Sequence, residues 1–320
     1  TGTMRDLTSL VLLHWLVASL ARTPPSPLLE RHRRLPTSAW QRLLEPSAAV
    51  LLQVGAFTHS VTAGHSEDAA VECMKQGWAA TLIEPAPSSF ASLRRRYAVG
   101  PRLRLVNGAV CHSCAKTSQP MWWVDLQSTL HHGSNDSDTR CAVSEAPGIA
   151  EFSSLTEAHV TRQAYLFQRS PNRCARCASR IQRPLPPTCL SKVIEKNLRR
   201  TEVRCVCLHE EARMAAALAR HPTARASAAG TPTPLLEAVS LLMIDAEGHD
   251  FEVLASYPFG SVPTWRVMFE AHHMRNKDFD SASALLRSHG FEKVAGGYKA
   301  FQVIFHNVNS RSSEALLHDR

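Results

Sequence analysis

The stretch LLMIDAEGHDFEVL, residues 241 to 254, decides how this chain folds. Its first four residues are apolar and run straight into Asp245, and Glu247 and Asp250 follow within five positions. A continuous apolar run that stops abruptly is the pattern of a strand buried on both faces of a parallel sheet. Gly248 permits a tight turn, after which Phe251, Val253 and Leu254 resume an apolar pattern suited to a helix. Asp250 is most simply that helix's N-cap. Three carboxylates therefore stand at the carboxyl end of a buried strand. Charged groups there carry a desolvation cost unless a partner meets them.

The same pattern recurs along the chain. AAVLLQVGAF (48–57) reads as a first buried strand ending at Gly55, AATLIEP (79–85) as a second ending at Glu84, and LRLVNGAV (103–110) as a third. Between them, Ser66 caps a helix with Glu67 and Asp68 in its first turn and Gly77 at its end, and Ser88 caps another. AVSLLMID (238–245) is the fourth strand, followed by a helix from Asp250 to Tyr257 that Pro258 stops. WRVMFEAH (265–272) is the fifth. Asp280 caps a helix closed by Gly290, and FEKV (291–294) pairs with AFQVIFH (300–306) across the AGGY turn. Strand–helix alternation makes a doubly wound, Rossmann-like parallel sheet with an antiparallel pair at its edge. Ligands of such sheets sit beyond the strands' carboxyl ends. Gly55, Glu84, Asn107, Asp245 and Glu270 all fall there, so the carboxylates of the opening stretch border a ligand crevice.

Two segments interrupt the alternation. Residues 112–187 lose periodicity, apart from a candidate strand at WWVDL (122–126), and residues 209–234 read as an inserted loop. The first is rich in cysteine. Of nine cysteines, Cys111/Cys114, Cys174/Cys177 and Cys205/Cys207 are closely spaced, with Cys73, Cys141 and Cys189 apart from them. Disulfides, a zinc site and buried thiols are all open readings, disulfides first. Asn135-Asp136-Ser137 is a glycosylation sequon if the chain is secreted.

Residues 1–48 form a targeting or anchor segment and a Pro/Arg-rich linker. Met4 and Arg5 precede LTSLVLLHWLVASLA (7–21), which as a helix spans about 22 Å, short of the roughly 30 Å hydrocarbon core. A basic start, an apolar middle and small residues at Ser19 and Ala21 resemble a signal peptide or short anchor. Membrane association through 7–21 and a secretory location follow, with a cytoplasmic chain and a domain-packed helix, favoured by Asp6 and His14, as the alternative. The residues before Met4 do not suit a natural start, which suggests a fragment. Residues 311–320 are a tail. The net charge of +8 comes from 36 Lys+Arg against 28 Asp+Glu. The basic residues lie in short bursts such as Arg94-Arg95-Arg96 without interleaved aromatics, so no nucleic-acid partner is expected.

VGA (54–56), GWAATLIEPAPSSFASLRRRY (77–97), VNGAV (106–110), LLMIDAEGHDFEVL and FEAH (269–272) together resemble the FkbM-type methyltransferases. The resemblance covers residues 49–110 and 188–306 in order, within a domain of residues 49–310. It implies a seven-stranded doubly wound sheet, S-adenosylmethionine as cofactor, and methyl transfer to a hydroxyl of a carbohydrate or other small acceptor.

On that resemblance, Gly55 and Ala56 let the backbone approach the cofactor. Glu84 accepts the two ribose hydroxyls, a vicinal diol suited to a bidentate carboxylate, and Asn107 and Ala109 line the adenine pocket. Asp245 and Glu247 lie where the methyl group is transferred. Transfer needs in-line approach and a group to hold or remove the acceptor's proton, for which Asp245, Glu247, His249 and His272 are the candidates. Asp245 also suits the cationic end of the cofactor. No metal ligand set is assigned, although an acidic cluster holding a metal that orients a sugar hydroxyl is an alternative. Glu270 is a further site candidate, or an ion-pair partner of a nearby arginine.

The first loop departs from the family pattern. Gln53 stands where an acidic residue is common, and Phe57 and His59 are bulky beside the expected cofactor. These departures motivate a second reading, a catalytically silent domain that binds a partner through its Cys-rich insertion. A dinucleotide oxidoreductase ranks behind both, because no G-x-G-x-x-G is present.

Overall fold

The computed structural model describes residues 49–56, 69–97, 100–124, 153–155, 157, 160–161, 178–179, 195–218, 238–297 and 302–308. All of them belong to one unit, Glu45–Arg320. The targeting segment and linker, Ser66, Phe57, His59, the sequon, four of the cysteines (Cys141, Cys174, Cys177, Cys189) and the tail lie outside the described residues.

The strands are β1 Val50–Val54, β2 Ala79–Glu84, β3 Leu103–Asn107, β4 Ala109–Val110, β5 Ser118–Val124, β6 Ser153–Ser154, β7 Leu198–Val206, β8 Val239–Ile244, β9 Thr264–Phe269, β10 Phe291–Ala295 and β11 Val303–Asn307. The helices are α1 Ala69–Lys75, α2 Pro87–Arg96, α3 Leu208–Ala217, α4 Asp250–Ser256 and α5 Asn276–Ser288. Every residue of β1, β2 and β8 is buried, which is why these strands are written as mostly apolar runs, broken within by only Gln53, Thr81 and Ser240. They pair in parallel at the centre of a seven-stranded sheet ordered β10-β11-β9-β8-β1-β2-β3. Only β11 runs against its neighbours. It inserts between β9 and β10, so the expected antiparallel edge is present with the returning strand as the inner one.

Alternate residues of the central strands, Val50, Leu52 and Val54 with Leu242 and Ile244, join α3, α4 and α5 in one apolar core. Ala212, Ala215 and Ala216 of α3 lie in that core, and α3 packs on β1, β2 and β8. The supposed insertion at 209–234 therefore begins as a helix of the fold. Its small alanines allow close approach to the sheet, a feature that composition alone reads as loop.

The third strand is divided. Up to Asn107 it pairs with β2, whereas Ala109 and Val110 pair with β7 in a second, four-stranded sheet ordered β4-β7-β5-β6. Residues 122–124 of the candidate strand lie in this sheet, in a strand that starts earlier, at Ser118; residues 125 and 126 lie outside the described residues. β7 has no counterpart in the sequence reading, because only Val203 and Val206 of its nine residues are buried. Disulfides Cys111–Cys205 and Cys114–Cys207 tie the segment after β4 to the end of β7. The sulfurs of these four cysteines are taken up in the two bridges, and the buried Cys73 belongs to neither. No described helix is long and apolar enough to cross a membrane.

The expected helix caps shift. α2 starts with Pro87 in its first turn and Ala86 as N-cap, since a proline's fixed φ and absent N–H suit that position; Ser88 is inside the helix. α5 starts at Asn276 after Arg275, which leaves Asp280 in mid-helix. α4 has His249 as N-cap, and Asp250 is its first residue.

Candidate functional site

The strand order reverses between β1 and β8, and a crevice opens beyond the carboxyl ends of the two strands. Its walls come from both sheets. The main sheet supplies Val54, Gly55, Glu84, Asp245 and Glu247, and the second sheet and its flanks supply Ala109, Met121, Ser154 and Leu155. The insertion thus forms one wall of the site. Sequence reasoning missed Met121, Ser154 and Leu155, which nothing local marks as neighbours of the strand ends.

Gly55 is the hinge between β1 and the crevice. Its φ is +78°, and a Cβ placed there would stand 1.7 Å from the carbonyl oxygen of Asp245. Only glycine allows β1 to turn this close to the end of β8. Ala56 is fully buried and its N–H donates to the Ile83 carbonyl at 3.1 Å, as Gly55's does at 3.0 Å. Ala56 holds β1 to β2 and is not a lining residue.

Glu84 is 3% exposed and lines the crevice. One carboxylate oxygen accepts the Ala86 N–H at 2.7 Å, which fixes the side chain at the strand end. Asn107, expected in the pocket, is instead exposed, and its Nδ2 donates to the Glu84 carbonyl at 2.9 Å. It braces β2 against β3, while Ala109, two residues on, does line the crevice. The passage into the second sheet at Gly108 carries Ala109 inward and leaves Asn107 behind.

Asp245, Glu247 and His249 line the crevice from the β8–α4 turn. Glu247 has φ +49°, a left-handed conformation uncommon for a residue with a side chain. Asp250 organises this turn from within. Its two oxygens accept the N–H groups of Ala246 at 3.3 Å and Gly248 at 3.2 Å. Asp250 is structural, as expected, but it secures the turn before the helix instead of capping the helix end. Burial pushes its carboxyl well above the usual range, the charges of Asp245 and Glu247 push the same way, and the two N–H bonds oppose them.

Of the adjacent histidines, His272 is exposed and outside the crevice. The chain leaving β9 buries Ala271 and Met274, which turns His272 outward and His273 toward the acidic cluster. His273 Nε2 lies 3.6 Å from Glu247 Oε2 and 3.7 Å from Glu270 Oε1. Two consecutive histidines were the available signal, and only the loop's path tells them apart. Glu270 faces Asp245, Glu247, Asp250 and His273, and among the described residues it has no ion pair with an arginine. Burial first, and these carboxylates next, hold its carboxyl far above the ordinary range.

Comparisons with protein-family models, with curated proteins and with solved structures find no match for this chain.

Proposed function

We propose that this chain is an S-adenosylmethionine-dependent O-methyltransferase acting on a hydroxyl of a carbohydrate or other small acceptor. The observation that carries the reading is Glu84: a buried carboxylate at the end of β2, lining a crevice at the point of strand reversal. Beside it Gly55 leaves backbone without a side chain, and Ala109 offers a small apolar surface. A buried carboxylate next to open backbone fits a nucleoside whose ribose diol donates two hydrogen bonds. The seven-stranded, mostly parallel sheet with its antiparallel edge is the architecture that the FkbM-type resemblance implies.

When bound, S-adenosylmethionine supplies an electrophilic methyl group on a positively charged sulfur. The residues of the chain do the rest. Glu84 holds the ribose, and Met121 and Leu155 exclude water from the far wall. Asp245 and His249, on the turn that closes the crevice, are positioned to take the acceptor's hydroxyl proton as its oxygen attacks in line. The carboxylates of Asp245 and Glu247 also favour a cationic ligand. The two disulfides support an oxidising compartment, and a secretory or membrane-anchored location is part of this proposal.

Calorimetry with S-adenosylhomocysteine tests it. Saturable binding is expected, weakened by about 1.5–3 kcal/mol in Glu84→Ala, the scale of hydrogen bonds to a charged group. Asp245→Asn is expected to retain binding and to lower turnover roughly 10²–10⁴-fold, the scale of a lost general base. Absence of binding to the folded chain would refute the proposal and favour the silent, partner-binding domain.

A further inference from the structure

We propose that Glu247, Glu270 and His273 form a binding site for a first-row divalent metal ion at the rim of the crevice. The three side chains come from separate stations: the β8–α4 turn, the end of β9 and the loop that follows. One donor atom from each lies within 4.8 Å of the other two. The imidazole nitrogen sits 3.6 and 3.7 Å from the two carboxylate oxygens, beyond ordinary hydrogen-bond length. An ion about 2.1 Å from each donor, at tetrahedral or octahedral angles, keeps its ligands roughly 3.0–3.5 Å apart. The two imidazole–carboxylate separations need to shorten by only a few tenths of an ångström, and the two carboxylate donors, within 4.8 Å of each other, close on the same ion.

The surroundings agree with a cation. The three side chains are only 27%, 12% and 16% exposed, in that order, so this is not a solvated surface cluster. Asp245 and Asp250 add two more carboxyl groups close to Glu270. A chain with a net charge of +8 thus concentrates four carboxyl groups against one imidazole. A bound cation favours the charged forms of these groups and offsets the repulsion among them. The backbone carries part of that cost as well, through the left-handed Glu247.

An imidazole with two carboxylates suits Mn²⁺ or Zn²⁺ better than the all-oxygen cages of Ca²⁺ or the water-rich shell of Mg²⁺. Glu247 also lines the crevice. An ion on it would face the crevice, where an acceptor hydroxyl can coordinate and lose its proton more readily. The metal site itself does not rest on methyl transfer, and the two ideas fail separately.

Mn²⁺ is the probe of choice, since it avoids thiolates and leaves the cysteines aside. The full chain, stripped with EDTA and exchanged into chelator-free buffer, is titrated with MnCl₂ while the free-ion paramagnetic resonance signal is followed. One ion per chain should bind. Pulsed resonance of the complex should show coupling to a histidine nitrogen. Glu270→Gln and His273→Gln should each weaken binding at least about tenfold, and Glu292→Gln on exposed β10 should not. Melting in EDTA establishes that the variants fold. No saturable binding, no nitrogen coupling, or wild-type affinity in both folded variants would overturn the site. S-adenosylhomocysteine binding measured in EDTA reports on the methyltransferase reading independently.

Discussion

Gly55→Ala measures how closely the ends of β1 and β8 approach. Two costs add. Alanine at the left-handed φ of Gly55 costs about 1–2 kcal/mol. Its Cβ would also lie 1.7 Å from the Asp245 carbonyl oxygen and 2.7 Å from the carbonyl carbon. The neighbour is backbone directly after β8, held by the Asp245 N–H to the Val54 carbonyl at 2.9 Å and by the paired strand before it, so it cannot rotate away. Relief requires the strand ends to part by more than an ångström, which overpacking puts at about 1–3 kcal/mol or more. The expected loss is about 2–5 kcal/mol, roughly thirty- to several-thousand-fold in the unfolding equilibrium at 1.4 kcal/mol per decade. Gly77→Ala is the internal control. Its φ is +85°, yet a Cβ there meets nothing within 4 Å, so only the conformational cost of about 1–2 kcal/mol applies. Urea unfolding of the two variants isolates the close approach as their difference. Similar losses in both would refute the reasoning, because the contact with Asp245 would then contribute nothing.

Further outcomes follow from the disulfides and from Asp250. Cys111–Cys205 closes a loop of sequence separation 94, and Cys114–Cys207 one of 93 over nearly the same residues. The second bridge therefore adds little closure entropy once the first exists. Replacing Cys114 and Cys207 by serine should cost less than about 2 kcal/mol, whereas removing both bridges should cost about 2–5 kcal/mol; comparable losses from each step in urea unfolding would count against this. Asp250 has its carboxyl raised by burial. A raised carboxyl contributes stability that is full below the unfolded-state value and is lost as pH rises through the folded one. Asn at that position stays neutral, so Asp250→Asn should gain stability relative to the wild type between pH 4 and pH 8 in EDTA. A relative loss over that range would mean that the N–H groups of Ala246 and Gly248 outweigh burial and favour the ion.

The residues that line the crevice from the main sheet were legible because their signal is local. An unbroken apolar run specifies a strand buried on both faces, and the first polar residue after it, Glu84 or Asp245, then marks a carboxyl end. That reasoning yields the parallel sheet, the position of the crevice and most of one wall. It could not yield the other wall. β7 is mostly polar on its open side, and its pairing with β4 and β5 spans more than seventy residues. The disulfide partners likewise depend on that distant pairing. The break at Gly108 placed Ala109 in the crevice and Asn107 outside it, although both were candidates on equal terms. Likewise His272 and His273 are indistinguishable by type and position. Burial of Ala271 and Met274 on either side sets the twist of the loop, and that twist turns His273 toward Glu247 and Glu270. Periodicity reports which face of an element is covered, so the strands and their ends belong to the sequence alone. Which distant side chains converge on those ends depends on how separate elements pack, and only the tertiary structure decides it.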